Sequence, residues 1–376
     1  MDLNEIRNRI DGIDDQIVEL FVERMKLTEG VAKYKVEHSL PVFQGKREKE
    51  ILERVASMSP ENMANGSRLL FANLMDISKC YQQEQITPVI PFVTEEPPKD
   101  PRVACQGTVG SYSEAACRKL FGKSGDEISF YQSFDEVFDA VESGKVDYGV
   151  LPIENSTAGG VALTYDLMGR HSFYVYKRVT VKINNVFAVR KGTKRSEITS
   201  VFSHEHALKQ CTDFLSKNPH IMQIPYKNTA LAAKMVSETE QPFAAICSKD
   251  CAELYDLEIL EDDITNIKEN YTRFICISKN LQVSENANIV SLSLSLPHTS
   301  GALYRLLTRF AFSGLNLCKI ESKPVPSSEK KEDTFDVIFY LDFIGTLNNP
   351  SVVKLLHNLQ AEMKYYKFLG NYEDIT

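Results

Sequence analysis

Seven residues in the first quarter of the chain have types and spacing suited to gripping a small anion. Apolar side chains recur at alternating three- and four-residue steps through Leu3, Ile6, Ile10, Ile13, Ile17 and Leu20, then through Leu27, Val31 and Tyr34. Arg24 fills the vacant place in that series. A stripe of this period packs against partner helices. A guanidinium inside it is costly to bury unless an anion meets it. Arg7 and Lys35 fall beside the stripe on one flank, a whole number of heptads apart. One long helix therefore aims three positive charges into its own packing interface. A core ion pair would explain one of them; a pocket for a small polyanion explains all three. Downstream, Arg47 adjoins Glu48, and Ser78 and Gln82 stand one helical turn apart. The set suits a dicarboxylate that carries an ether and a hydroxyl.

Farther along, three short motifs concentrate hydroxyls, amides and one arginine: GTVGSYSEAA (107–116), LPIENS (151–156) and YTRF (271–274). Each alone has a plain structural reading. Serines at a helix start are caps, Glu–Asn–Ser after a strand is a turn, and an isolated arginine is a surface charge. A last pair, GALYRLL (301–307) and IESKP (320–324), places glycine and small residues where backbone N–H groups are free to meet a carboxylate.

The elements that hold these groups follow from periodicity. Residues 1–86 read as helical: a first helix from Asp2 to near His38, stopped by Pro41, a short one around Gln44–Ser57, and a third over Ser67–Gln85. So few helices cannot bury such a stripe alone, which predicts a homodimer or higher homo-oligomer. The segment 87–101, TPVIPFVTEEPPKDP, reads as a semi-stiff linker. Residues 102–279 alternate strands and helices, as in a mainly parallel α/β sheet, whose ligands gather at strand ends and helix N-termini. Over 288–376 the order is βαββαβ, a ferredoxin-like α+β domain. It starts with a half-buried strand in which Val290, Leu292, Leu294 and Leu296 alternate with serines.

Composition sets the outer limits. At 376 residues the chain is too long for one ordinary core. A formal charge of −8 argues against nucleic acid as a partner, and anionic substrates must be attracted by local cations. The N-terminal MDLNEIRNRIDG is charged and amphipathic, so neither a secretory signal nor a membrane span is expected. Eight scattered cysteines read as reduced, mostly buried thiols of a cytoplasmic protein, and no pattern calls for a metal or cofactor.

The first segment resembles the all-helical chorismate mutases, through the RxxI start, Glu23–Arg24, the KxK of Lys33–Lys35, and Arg47–Glu48. That resemblance implies that Arg24 and Arg47, with Arg7 of a second subunit, hold the two carboxylates of chorismate. Lys35 and Gln82 would hydrogen-bond the ether oxygen, with Glu48 and Ser78 completing the site. Gln44 departs from the family, which often has an acidic residue near the substrate hydroxyl. The middle segment is similar to prephenate dehydratase throughout, a family folded as two α/β subdomains around a cleft in the manner of periplasmic solute-binding proteins. The match carries over Ser111, Ser113, Asn155, Ser156, Ser203, His204, Gln210, Thr272, Arg273 and Phe274. It makes Thr272 the group that protonates the departing hydroxyl as carbon dioxide leaves, with Asn155 and Gln210 orienting prephenate. The last segment resembles ACT regulatory domains. Gly301, Ala302 and Leu303 with Glu321, Ser322, Lys323 and Pro324 would then bind phenylalanine, Lys323 standing where the family usually has arginine. The implied activity is bifunctional, chorismate to prephenate and prephenate to phenylpyruvate, under feedback control by phenylalanine. The rival readings are a non-catalytic small-molecule sensor, which the clamshell and ACT folds also suit, and an enzyme with only one activity retained.

Overall fold

The computed structural model describes residues 2–38, 45–324 and 337–375. Pro41 and Gln44 lie outside the described residues. Three helices come first: α1 (Leu3–Glu37), α2 (Gly45–Ser57) and α3 (Ala64–Ile86). Then follow β1 (Val103–Gln106), α4 (Tyr112–Phe121), β2 (Ile128–Tyr131), α5 (Phe134–Glu142), β3 (Tyr148–Asn155), β4 (Gly159–Gly160), α6 (Ala162–Arg170) and β5 (Tyr174–Lys182). Next are β6 (Asn185–Arg190), β7 (Ser200–Ser203), α7 (Glu205–Gln210), α8 (Thr212–Ser216), β8 (Met222–Pro225), α9 (Thr229–Glu238), β9 (Phe243–Ser248), α10 (Lys249–Leu254), β10 (Leu257–Glu261) and β11 (Tyr271–Ser278). The chain closes with β12 (Ile289–Ser295), α11 (Ala302–Phe312), β13 (Leu317–Pro324), β14 (Val337–Ile344), α12 (Pro350–Glu362) and β15 (Tyr366–Ile375). No helix among the described residues is long and apolar enough to cross a membrane.

Two units result, one of residues up to Phe92 together with Val290–Phe368, the other of Val93–Ile289 with the chain from Leu369 onward. In the first unit α1 starts under a capping box, where the Asp2 carboxylate accepts from the Asn4 and Glu5 N–H groups at 2.8 and 2.9 Å. The face of α1 buried against α3 is Met25, Thr28, Ala32 and Lys35, not the predicted stripe. Leu3, Leu20 and Leu27 are 61, 65 and 69% exposed, and Ile6, Ile10, Ile13, Ile17, Val31 and Tyr34 also face solvent. The expectation that this stripe is buried therefore fails within one chain, because nothing in a single copy covers it. The last segment of the unit has the βαββαβ order read from the sequence, with strands ordered β13-β14-β12-β15. Its first strand is buried on both faces, where the serine alternation predicts one wet face. Ser291 donates to the Asp342 carboxylate at 2.5 Å and Ser293 lies 3.4 Å from the Tyr365 hydroxyl, so the serine face is covered and polar. The start of the segment read as a linker is pinned in place. Thr87 Oγ1 bonds the Asn358 amide at 2.6 Å, His357 meets the Ile90 carbonyl at 2.9 Å, and Phe92 stacks on His357.

In the second unit one sheet runs β5-β11-β3-β1-β2 and the other β10-β6-β9-β7-β8. Both are mixed where a mainly parallel sheet was expected. β1 is parallel to β2 and β3, but β11 is antiparallel to both β3 and β5. In the other sheet β7 is parallel to β8 and β9, while β6 is antiparallel to β9. The reason is the path of the chain, which crosses from one sheet to the other at 183–184 and returns between β10 and β11. The returning strand thus runs against its neighbours. Each sheet has its own core. Val103, Cys105, Leu120, Tyr148, Val150 and Phe274 pack in the first, and Phe187, Val189, Val201, Leu215 and Ile246 in the second. All eight cysteines are free, and six are buried.

Candidate active sites

The first site forms where α1 and α3 pack. Arg24, half-buried, donates from Nη1 to the Leu74 carbonyl at 3.1 Å and to Ser78 Oγ. Ser78 Oγ in turn donates to the Leu74 carbonyl at 2.6 Å. Every partner of the guanidinium is neutral, and among the described residues no carboxylate pairs with it. Burial lowers its pKa from the usual arginine value, a sign that the charge is held without compensation. Lys35 is buried and donates to Gln82 Oε1 at 3.1 Å, while Gln82 Nε2 donates to the Ser78 carbonyl at 3.2 Å. The Lys35 pKa is lowered, first by burial; nearby Glu48 opposes the shift and Lys79 adds to it. Lys79, absent from the sequence prediction, bridges Glu48 at 3.2 Å and Asp76 at 2.7 Å. Arg24, Lys35, Glu48, Ser78 and Gln82 are thus gathered around one stretch of α3.

Two predicted members are elsewhere. Arg47 points outward, with a side chain 66% exposed and paired to Glu50 at 3.5 Å, because its position on α2 faces water. Arg7 is exposed and lies 17 residues before Arg24 on the same straight helix, about 25 Å away at about 1.5 Å per residue. It cannot reach its own chain's site.

The second site is built on the β3–β11 pair. Their antiparallel register sets Thr272 opposite Asn155, and a bulge follows between Arg273 and Phe274. Bulges re-aim side chains beside functional groups. The Asn155 amide is fully engaged. Its Oδ1 accepts from the Thr157 N–H at 3.0 Å, the Thr157 hydroxyl at 2.7 Å and the Ala158 N–H at 2.9 Å. Its Nδ2 donates to Asn270 Oδ1 at 2.9 Å, the Tyr271 carbonyl at 3.2 Å and Thr272 Oγ1 at 2.9 Å. The Thr272 oxygen therefore receives a proton donor from Asn155, and its own O–H is uncommitted among the described residues. Ser156 ties the same corner together: its Oγ accepts from the Tyr271 N–H at 2.9 Å. Arg273 pairs with Glu154 at 3.4 Å and is 42% exposed.

The remaining predicted residues divide. Phe274, 2% exposed, is part of the hydrophobic core rather than a binding surface, since the bulge turns it inward. Ser111, not Ser113, caps α4, and its Oγ accepts from the Glu114 N–H at 3.3 Å. Ser113 is buried in the first turn. Glu114 itself accepts from the Gly110 and Gly125 N–H groups at 2.5 and 2.7 Å, so a carboxylate of the protein already occupies much of that turn. Ser203 is fully buried and donates to the Ile246 carbonyl at 2.6 Å, which makes it a structural tie. His204 caps α7 through Nδ1, and its pKa is lowered, first by burial and then by His206. Gln210 is half-buried at the end of α7, and its carbonyl receives the Asn266 N–H at 2.8 Å. Among the described residues, no hydrogen bond joins Ser203, His204 or Gln210 to Thr272. In the C-terminal domain Gly301 has φ +76 at the start of α11, a left-handed turn that a side chain would strain. Glu321 lies between Lys319 at 3.4 Å and Lys323 at 2.7 Å on β13, the edge strand of its sheet among the described residues.

A helix pair that half-buries a guanidinium among neutral partners, on the same chain as a two-sheet α/β unit with a hydroxyl beside a strand bulge, offers two separate places for chemistry. Comparison with known proteins agrees. Residues 6–83 match the type II chorismate mutase family model, and residues 103–282 match that of prephenate dehydratase. The chain is 31% identical over 377 aligned positions to the bifunctional chorismate mutase/prephenate dehydratase of Pseudomonas aeruginosa, covering 98% of this chain and 97% of that protein. To the protein of the same description from Escherichia coli K12 it is 29% identical, over 98% of this chain and 95% of that one. Among solved structures, the prephenate dehydratase of Arthrobacter aurescens in complex with L-Phe aligns with a TM-score of 0.63 and 28% identity, covering 72% of this chain and 89% of that chain. The chain belongs to the bifunctional chorismate mutase/prephenate dehydratase family. It combines an isomerase and a lyase of phenylalanine biosynthesis.

Proposed function

We propose that the α1–α3 site rearranges chorismate and that the β3–β11 corner dehydrates and decarboxylates prephenate, with the C-terminal domain acting as an ACT-type sensor of phenylalanine. The observation that carries the first part is Arg24, a half-buried cation whose partners are all neutral. A substrate carboxylate supplies the missing counter-charge. The Claisen rearrangement breaks the ether C–O bond as a new C–C bond forms, with no nucleophile or base. What it needs is a compact conformer and stabilisation of charge growing on the ether oxygen. Lys35 is the donor for that oxygen. Gln82 supports it from Oε1 and keeps a second N–H for the substrate, its first being spent on the Ser78 carbonyl.

For the second reaction the C–C bond to the ring carboxylate breaks, carbon dioxide leaves, and that electron pair enters the ring as the ring hydroxyl departs with a proton. Aromatisation supplies most of the driving force. Thr272 contributes a directed hydrogen bond to the leaving oxygen. Its Oγ accepts from Asn155, which polarises the hydroxyl and turns the proton outward. Asn155 has no free valence for substrate, so its part is to orient Thr272. The two sheets on either side of the chain crossings support the solute-binding-protein comparison, with Ser111, Arg273, His204 and Gln210 offering polar contacts to the substrate carboxylates.

The exposed α1 stripe supports assembly through a second copy, which would also bring Arg7 to the neighbouring Arg24 site. Inactive Arg7→Ala and inactive Arg24→Ala chains, mixed under conditions that exchange subunits, should therefore regain part of the mutase activity. Absence of complementation in verified heterodimers removes Arg7 from the site. Phenylalanine sensing rests on edge strand β13, whose Ile320, Ser322 and Pro324 are exposed and free to face a second copy. Phenylalanine should lower dehydratase turnover, and Ser322→Asp should weaken that inhibition at least about tenfold, the scale of a typical coupling free energy. Unchanged inhibition in the variant places the effector site elsewhere. A Gly301 substitution is a poorer test, because its positive φ confounds a filled pocket with a strained turn.

A further inference from the structure

We infer that Asn270 is a positioning residue of the dehydratase, acting through Asn155 on the Thr272 hydroxyl; the inference rests on the reading of Thr272 given above. Asn270 lies at the end of the returning crossing, just before β11, and is fully buried. Its carbonyl accepts from the Ile183 N–H at 2.8 Å, in the outgoing crossing, so its backbone is fixed where the two crossings meet. Its side chain then sets the polarity of the whole corner. The backbone N–H groups of Thr157 and Ala158 can only donate, so the Asn155 atom facing them at 3.0 and 2.9 Å must be Oδ1. Asn155 Nδ2 is thereby fixed as the donor, and the Asn270 atom 2.9 Å from it must be Oδ1.

That leaves Asn270 Nδ2 buried with no partner among the described residues. A buried amide donor left unmade is costly. An apolar or hydroxyl side chain here would avoid that cost if position 270 served packing alone. What an apolar side chain cannot supply is the acceptor for Asn155 Nδ2. Without it, one of the three acceptors that hold Nδ2 toward Thr272 Oγ1 is lost, and the amide is free to turn. If it turns, the Thr272 hydroxyl can swing its proton back to the protein and away from the leaving group. The unmet Nδ2 also makes a chemical prediction. An aspartate, with the same shape and acceptor oxygens but no amide hydrogens, should keep the function, whereas leucine of similar size should not.

The test uses the full chain, with mutase activity on chorismate as the control for concentration and an unchanged KM for prephenate as the control for folding of the second unit. Asn270→Leu should lower dehydratase kcat at least about thirtyfold with KM changed less than about threefold, and Asn270→Asp should restore kcat to within about threefold of wild type. In a Thr272→Val background, which should itself be impaired, Asn270→Leu should cost little more, since both changes act through the Thr272 hydroxyl's bond to the leaving oxygen. If Thr272→Val is impaired yet Asn270→Leu keeps wild-type kcat, or its loss multiplies fully with that of Thr272→Val, the inference is overturned. It is also overturned if Asn270→Asp is as poor as Asn270→Leu while the KM for prephenate stays unchanged. If instead Thr272→Val has wild-type kcat, the reading of Thr272 fails and the inference falls with it.

Discussion

Replacing Arg24 with alanine should reduce mutase turnover by about thirtyfold to a thousandfold while leaving dehydratase activity on supplied prephenate near wild type. The guanidinium is half-buried, its pKa is depressed by that burial, and among the described residues it pairs with no carboxylate. A substrate carboxylate docking there forms a charge-assisted bond in a partly desolvated setting, and losing one partner of such a bond costs about 2–4 kcal/mol. Since a tenfold change corresponds to about 1.4 kcal/mol, the upper end is nearly a thousandfold. The change should not unfold the helix pair. Alanine is the best helix former, and the lost partners are a carbonyl already bonded to Ser78 and the Ser78 hydroxyl itself. Chorismate turnover near wild type in Arg24→Ala would show that the pocket lies elsewhere.

Thr272→Val should have the other large effect, and its signature differs. Valine keeps the branched shape on β11 and removes only the hydroxyl, so prephenate still docks. The bond to the leaving oxygen strengthens as that oxygen gains charge. Its loss should therefore appear in kcat, by at least about thirtyfold, with KM little changed. Asn155 Nδ2 then faces a methyl group at one of its three acceptors, which bears on stability and not on turnover, since the hydroxyl it orients is gone. A raised KM with unchanged kcat would mean that Thr272 merely binds substrate.

How far the sequence showed this in advance depends on whether a residue's role is local. Arg24 was visible because it breaks an apolar period, and burial and charge conflict wherever that happens. The existence of α1, α2 and α3 followed from periodicity and a proline stop, although α3 begins three residues before the expected Ser67, and the βαββαβ order at the C-terminus followed from its alternating patterns. The destination of the α1 stripe did not follow, since a period names a face but not what covers it. Nor could spacing show that Arg47 turns to water or that Phe274 is core, because the first depends on how α2 packs and the second on a bulge in strand pairing. The alternating serines of β12 suggested a wet face because serine is polar. Asp342, some fifty residues on, makes that face dry. Asn270 left no local sign. Its importance arises where two chain crossings meet and where Asn155, more than a hundred residues earlier, lies against it.

The central claim is that one chain performs two consecutive reactions at separate sites. The most direct measurement gives chorismate alone to the purified protein and follows phenylpyruvate by its ultraviolet absorbance, in wild type, Arg24→Ala, Thr272→Val and a mixture of the two variants. Wild type should form phenylpyruvate, Arg24→Ala should leave chorismate unconsumed, and Thr272→Val should accumulate prephenate. The mixture should form phenylpyruvate again, because prephenate made by one variant is consumed by the other. Phenylpyruvate formed from chorismate by either variant alone at the wild-type rate, or none formed by the mixture, would contradict the assignment of the two sites.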